Sequence, residues 1–87
     1  MNENIKNHII NMIQAAAAMT NTAYAKKSKL LNKYYYGKLT ALADVLQTAN
    51  IKTETEISYH IYKLTDVSEI YEVIENITIN NKTIFKK

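Results

Sequence analysis

The chain has no cysteine, no proline and no tryptophan, a single glycine, Gly37, and no arginine among its 87 residues. Without cysteine there is no disulfide, no thiolate nucleophile and no thiolate metal ligand. Without proline, and with one glycine, no flexible linker divides the chain, so residues 1–87 read as one domain. One glycine cannot build a phosphate-cradling loop of the Walker or dinucleotide type. The lack of arginine removes the side chain best suited to bidentate guanine contacts. No apolar run approaches the ~18 residues that a bilayer span requires. The stretch IINMIQAAAAM is interrupted by Asn11 and Gln14 and makes a poor secretion signal. A cytosolic protein is therefore expected, and the N-x-T triplets at Asn76 and Asn81 are expected to carry no glycan.

What the chain does contain is 47% hydrophobic residues with 22% charged ones, an ordinary globular balance. A domain of this size buries only roughly 60–65% of its unfolded surface, so a partner or a second copy often supports it. Eleven lysines face eight acids, for a net charge of +3. Lys, Ile, Asn and Tyr all have AT-rich codons, so lysine abundance by itself carries no functional weight. Its placement says more, because the first fifty residues hold Glu3 and Asp44 as their only acids.

Two helices are expected first. Over residues 3–25, Ile5, Ile9, Met12, Ala16 and Met19 recur at alternating spacings of four and three. This heptad seam reads as an oligomer interface, with a homodimer expected. Over residues 29–49, Leu31, Tyr34, Tyr35, Leu39, Leu42, Val45, Leu46 and Ala49 gather on one arc. Lys29, Lys33, Tyr36, Thr40, Asp44 and Gln47 fall on the other. Ser28 is placed to cap the second helix. No strong breaker separates the two, so the junction reads as a tight turn or as one long bent helix; the turn is expected, because an antiparallel helical hairpin buries both stripes at once.

After Asn50 the period changes. In IKTETEISYHIY, the alternation of Ile51, Thr53, Thr55, Ile57, Tyr59 and Ile61 with polar residues predicts a strand. A helix opened by a Thr53–Glu56 capping box, with Ile57, Ile61 and Leu64 on one side, is the competing reading. Asp66 and Glu69, followed by Val67, Ile70, Tyr71 and Ile74, predict a short helix over 67–76. Asn80-Asn81 between two β-favouring triplets predicts a hairpin, because asparagine tolerates positive φ. The fold class expected is α+β, with a helical pair followed by a strand–helix–hairpin element. The alternative is an all-α chain ending in a helix–turn–helix.

Catalytic groups are few. His8 and His60 fall in different elements without an acid cluster beside them, so no metal site and no cofactor are expected. Glu69, Glu72 and Glu75 read as a solvated helix stripe, and no serine lies in a nucleophile-elbow context. The expectation is a protein that is not an enzyme. The segment KKSKLLNKYYYGK is the strongest candidate for recognition. Its residues Lys26, Lys27, Lys29, Lys33, Tyr36 and Lys38 form the expected partner-binding set, with lysines steering association around a tyrosine. A host protein is the expected partner. Nucleic acid is the rival for segment 26–38, since lysines with an interleaved ring can hold phosphates and stack bases. A sponge for nucleotide signals is a third reading. The acids at positions 66, 69, 72 and 75 speak against a DNA-reading helix there.

The stretch AYAKKSKLLNKYYYGKLTALADVL, residues 23–46, resembles small uncharacterised proteins of phages that infect AT-rich Gram-positive bacteria. The resemblance implies an accessory phage protein in the cytoplasm of a bacterial host. Such proteins often inhibit or sequester a defence component by binding, as anti-CRISPR proteins do. No functional residue is transferred from it.

Overall fold

The computed structural model describes residues 3–51, 57–66 and 71–87. Its elements are α1 (Glu3–Ala25), α2 (Lys29–Ile51), β1 (Tyr59–Asp66), β2 (Tyr71–Ile79) and β3 (Lys82–Lys86). The fold is α+β: two long helices followed by a three-stranded antiparallel sheet of order β1-β2-β3.

The helical hairpin turns at Lys26-Lys27-Ser28. Ser28 N–H donates to Ala23 C=O at 2.9 Å, and Lys27 N–H to Tyr24 C=O at 2.9 Å. These two bonds form a Schellman ending, which puts its hinge residue in the left-handed region. That residue is Lys27, at φ 57°. A lysine there bears a steric cost that glycine would avoid. Its ammonium lies over the rings of Tyr24, 4.4 Å from the centroid, and Tyr71, 5.5 Å away, and these contacts offset part of the cost. Ser28 C=O then accepts Asn32 N–H at 2.9 Å, the first bond of α2.

The C-terminal half departs from expectation. The short helix expected over 67–76 is overturned from Tyr71 onward, where the chain runs as β2, and positions 67–70 lie outside the described residues. Val73 and Ile74 are both buried, as are Tyr71, Ile77 and Ile79. Apolar residues at adjacent positions mimic a helical stripe by spacing, yet suit a central strand equally. The register makes the mimicry worse. It steps from Tyr62↔Asn76 to Lys63↔Ile74, so Glu75 has no partner on β1 and the alternation is reset there. The expected strand is present but later: Ile51 still ends α2, Tyr59 opens β1, and Thr53 and Glu56 lie outside the described residues. Ile61 and Leu64 both lie within β1, which removes the helix–turn–helix alternative.

The hairpin at Asn80-Asn81 is present, with φ of 51° and 66°, both positive as a two-residue I′ turn demands. Asn80 also bonds Ser58, accepting its N–H on Oδ1 at 3.0 Å and donating its own N–H to Ser58 C=O at 2.8 Å. The start of β1 is thereby pinned to the far hairpin.

One core joins the two layers. Ile9, Ile13, Ala16 and Ala17 of α1 meet Leu39, Ala43 and Leu46 of α2, with Ile57, Ile74, Ile77 and Ile79 from the sheet side. Where β3 ends its pairing, two helix asparagines take over the backbone of β2. Asn21 accepts Ile74 N–H at 2.8 Å and donates to Ile74 C=O at 3.0 Å. Asn32, wholly buried, does the same for Glu72 and also donates to Thr20 C=O. Gln14 adds a bond to Ile84 C=O of β3 at 2.7 Å.

Candidate protein-interaction site

The face of α2 that meets the sheet is not the arc with the most apolar residues. Asn32, Leu39, Ala43 and Leu46 are buried, whereas Leu30, Tyr34, Val45 and Leu31 are 82%, 58%, 53% and 47% exposed. The helix is rotated by roughly a quarter turn from the arc that composition alone selects. Two apolar stripes therefore share one helix, and only one is used by the chain's own core.

The rotation corrects the tyrosine assignments. Tyr36, expected in solvent beside Lys29 and Lys33, is half-buried and packs on the core, with Lys63 Nζ 4.5 Å from its ring centroid. Tyr34, expected in the core, faces water with its ring set edge-on to Tyr35 at 5.0 Å. The reason is polar. The open stretch of β2 needs Asn32, and Asp44 accepts a 2.7 Å bond from the Tyr59 hydroxyl on β1. That bond is the first reason the Tyr59 hydroxyl titrates above its ordinary range, with partial burial adding to it.

The lysines of the recognition segment divide into two groups. Lys33 Nζ lies 3.4 Å from Glu72 Oε1, and Lys27 is held over the two rings already described. Lys63 Nζ approaches Glu72 Oε2 at 2.8 Å, a close ion pair whose alignment falls short of a hydrogen bond. Burial pushes the Glu72 carboxyl up, but the two ammoniums together outweigh it and hold it below the usual carboxylate range. The same contact, chiefly, raises Lys63. Glu72 is thus an internal tether on a strand and not part of a solvated helix stripe; Glu75 pairs loosely with Lys87 at 3.8 Å. Lys26, Lys29 and Lys38 are exposed, and none has an acidic partner among the described residues.

The heptad seam of α1 is also split. Ile9 and Ala16 are consumed by the chain's own core, which corrects their assignment to an oligomer interface. Ile5 and Met19 stay exposed and Met12 half-buried, since a 3.5-residue seam on a straight helix drifts off a single line. Met12 and Met19 join Ala15, Ala16, Tyr35 and Lys38 around a depression of about 160 Å³. The hairpin's outer side therefore presents Ile5, Met19, Leu30, Leu31, Tyr34 and Val45 to water.

His8 and His60 are exposed, and among the described residues no three His, Asp or Glu side chains come together. Among the described residues no helix is long and apolar enough to cross a membrane. No protein-family model matches the chain, and no curated protein and no solved structure is similar to it.

Proposed function

We propose that this is a non-catalytic binding protein that acts by occupying the surface of another protein through the outer side of its helical hairpin. The observation that carries the reading is Leu30, Leu31, Tyr34 and Val45 in water on one helix that also carries Lys29 and Lys38, exposed and without acidic partners among the described residues. Exposing that stripe gains the monomer nothing, whereas an apolar centre with a charged rim is the anatomy of a protein-binding patch. The rim is basic, so the surface it fits is acidic. The likeness of residues 23–46 to phage proteins supports a host factor in the bacterial cytoplasm as the partner. The protein would inhibit or sequester it, in the manner of anti-defence proteins.

Capture from a host lysate tests this with three baits: wild type, a Leu30→Glu/Tyr34→Ala pair, and Lys82→Glu on β3 as control. One protein should be retained by wild type and control and lost by the pair, with thermal melting of the pair unchanged. Equal capture by all three removes the surface. Tight, sequence-dependent duplex binding that weakens steeply with salt would instead make the protein a nucleic-acid-binding regulator. Calorimetric binding of a cyclic nucleotide would make it a signal sponge.

A further inference from the structure

Resting on that reading, we infer that the groove between α1 and α2 receives an amphipathic α-helix of the partner. This helix places an apolar side chain in the depression and an acidic side chain one turn away, against Lys38. The depression of about 160 Å³ has room for one large apolar side chain, and its lining suits a helix. Ala15 and Ala16 let a second backbone come close, and Met12 and Met19 adapt to the shape that arrives. Tyr35 forms one wall, braced edge-on by Tyr34 at 5.0 Å.

The secondary structure of the occupant follows from hydrogen bonding. Both walls are helices, whose backbone groups are already paired within each helix, so this side of the molecule offers no ladder to an extended strand. An extended peptide laid there would lose water from its own N–H and C=O groups without replacement. A helix arrives with those groups satisfied and needs only an apolar stripe.

The charge of the occupant follows from Lys38. It stands at the rim of an apolar groove without an acidic partner among the described residues. An acid from the occupant meets that ammonium where water is partly excluded, which strengthens the pair. A second copy of this chain is a poor source of it, because its helical pair carries six lysines and only two acids. The two acids of the helical pair, Glu3 and Asp44, are engaged by Lys6 at 3.9 Å and by the Tyr59 hydroxyl at 2.7 Å. A nucleic acid would satisfy Lys38 but leave Met12 and Met19 against a phosphate backbone.

Two synthetic 18-residue amphipathic peptides probe the groove, one with Glu and one with Lys a turn after the central leucine. Binding is read by fluorescence anisotropy and by the methyl NMR signals of Met12 and Met19. The Glu peptide should bind about ten-fold tighter than the Lys peptide, and Lys38→Glu should reverse the order. Both methyl signals should shift, and a proline at the peptide's centre should abolish binding. Equal affinity for the two peptides overturns the inference, as does no binding, or displacement by duplex DNA. A dimer by light scattering with the methyl groups at its interface also overturns it, in favour of self-association. Host-protein capture separates this from the broader reading. If Leu30→Glu/Tyr34→Ala abolishes capture and Lys38→Glu does not, the docking surface stands and the acidic helix falls.

Discussion

The side chain of Asn32 on α2 behaves as a short strand toward Glu72 on β2. It accepts the Glu72 N–H at 2.8 Å and donates to the Glu72 C=O at 2.9 Å. Its second amide hydrogen goes to Thr20 C=O at 3.0 Å, so α1, α2 and the sheet meet at one buried amide. Substitution by alanine removes all three bonds and leaves the part-buried Glu72 N–H and C=O without a side-chain partner. Asn32→Ala should cost about 3 kcal/mol. The check is a lower urea midpoint at unchanged slope. Asn21→Ala, which frees only Ile74 and is less buried, should cost less.

Glu72 sets the acid limb of stability. Its folded carboxyl titrates below the unfolded value, so the stabilisation is complete above the unfolded carboxylate range of about 4.3 and fades as pH falls through the folded value. Glu72→Gln should flatten stability below about pH 4.5, which acid titration of wild type and variant by circular dichroism would reveal.

Tyr59 and Lys63 set the alkaline limb. Both titrate above their ordinary values, so each stabilises fully below about pH 10 and ceases to do so as pH rises through its folded value. Tyr59→Phe deletes the bond to Asp44 and should remove part of the stability lost on going from pH 9 to 11. The difference in tyrosinate absorbance between wild type and Tyr59→Phe, which keeps the other six tyrosines, isolates the shift.

Gly37 sits in the exposed interior of α2, and a Cβ built there meets nothing within 4 Å. Gly37→Ala should therefore stabilise the isolated protein by about 0.5–1 kcal/mol. A gain in melting temperature with weaker partner capture would show that the glycine serves close approach at the interface.

Tyr36→Ala should now report on stability instead of binding. The ring packs on the core and lies under the Lys63 ammonium, so its loss should cost about 2 kcal/mol. Little change in melting with lost capture would return Tyr36 to the contact surface.

Much of the first half is legible in the chain. The bounds of α1, the turn at residues 26–28 and the Asn80-Asn81 hairpin follow from spacing, from the capping position of Ser28 and from asparagine's tolerance of positive φ. The orientation of α2 is not legible, because Leu39, Ala43 and Leu46 compete with Leu30, Tyr34 and Val45 for the core on nearly equal terms. One signal was present: Asn32 shares the wheel position of Leu39, Ala43 and Leu46 at spacings of seven, eleven and fourteen. An amide in that line marks a backbone to be satisfied. Reading it requires knowing that β2 outruns β3 and that its open edge lies against Asn32, a relation between residues forty positions apart.

Local chemistry by itself therefore determined that there would be two long helices, a tight turn between them and a C-terminal hairpin, since each depends on neighbours within a few positions. The tertiary structure decided that residues 71–76 are strand and that Tyr36 faces inward. It also decided that an apolar stripe of α2 is left in water. These outcomes rest on one long-range requirement: the unpaired edge of β2 must find hydrogen-bond partners, and it found them in Asn21 and Asn32 on the sheet-facing side of the helical pair.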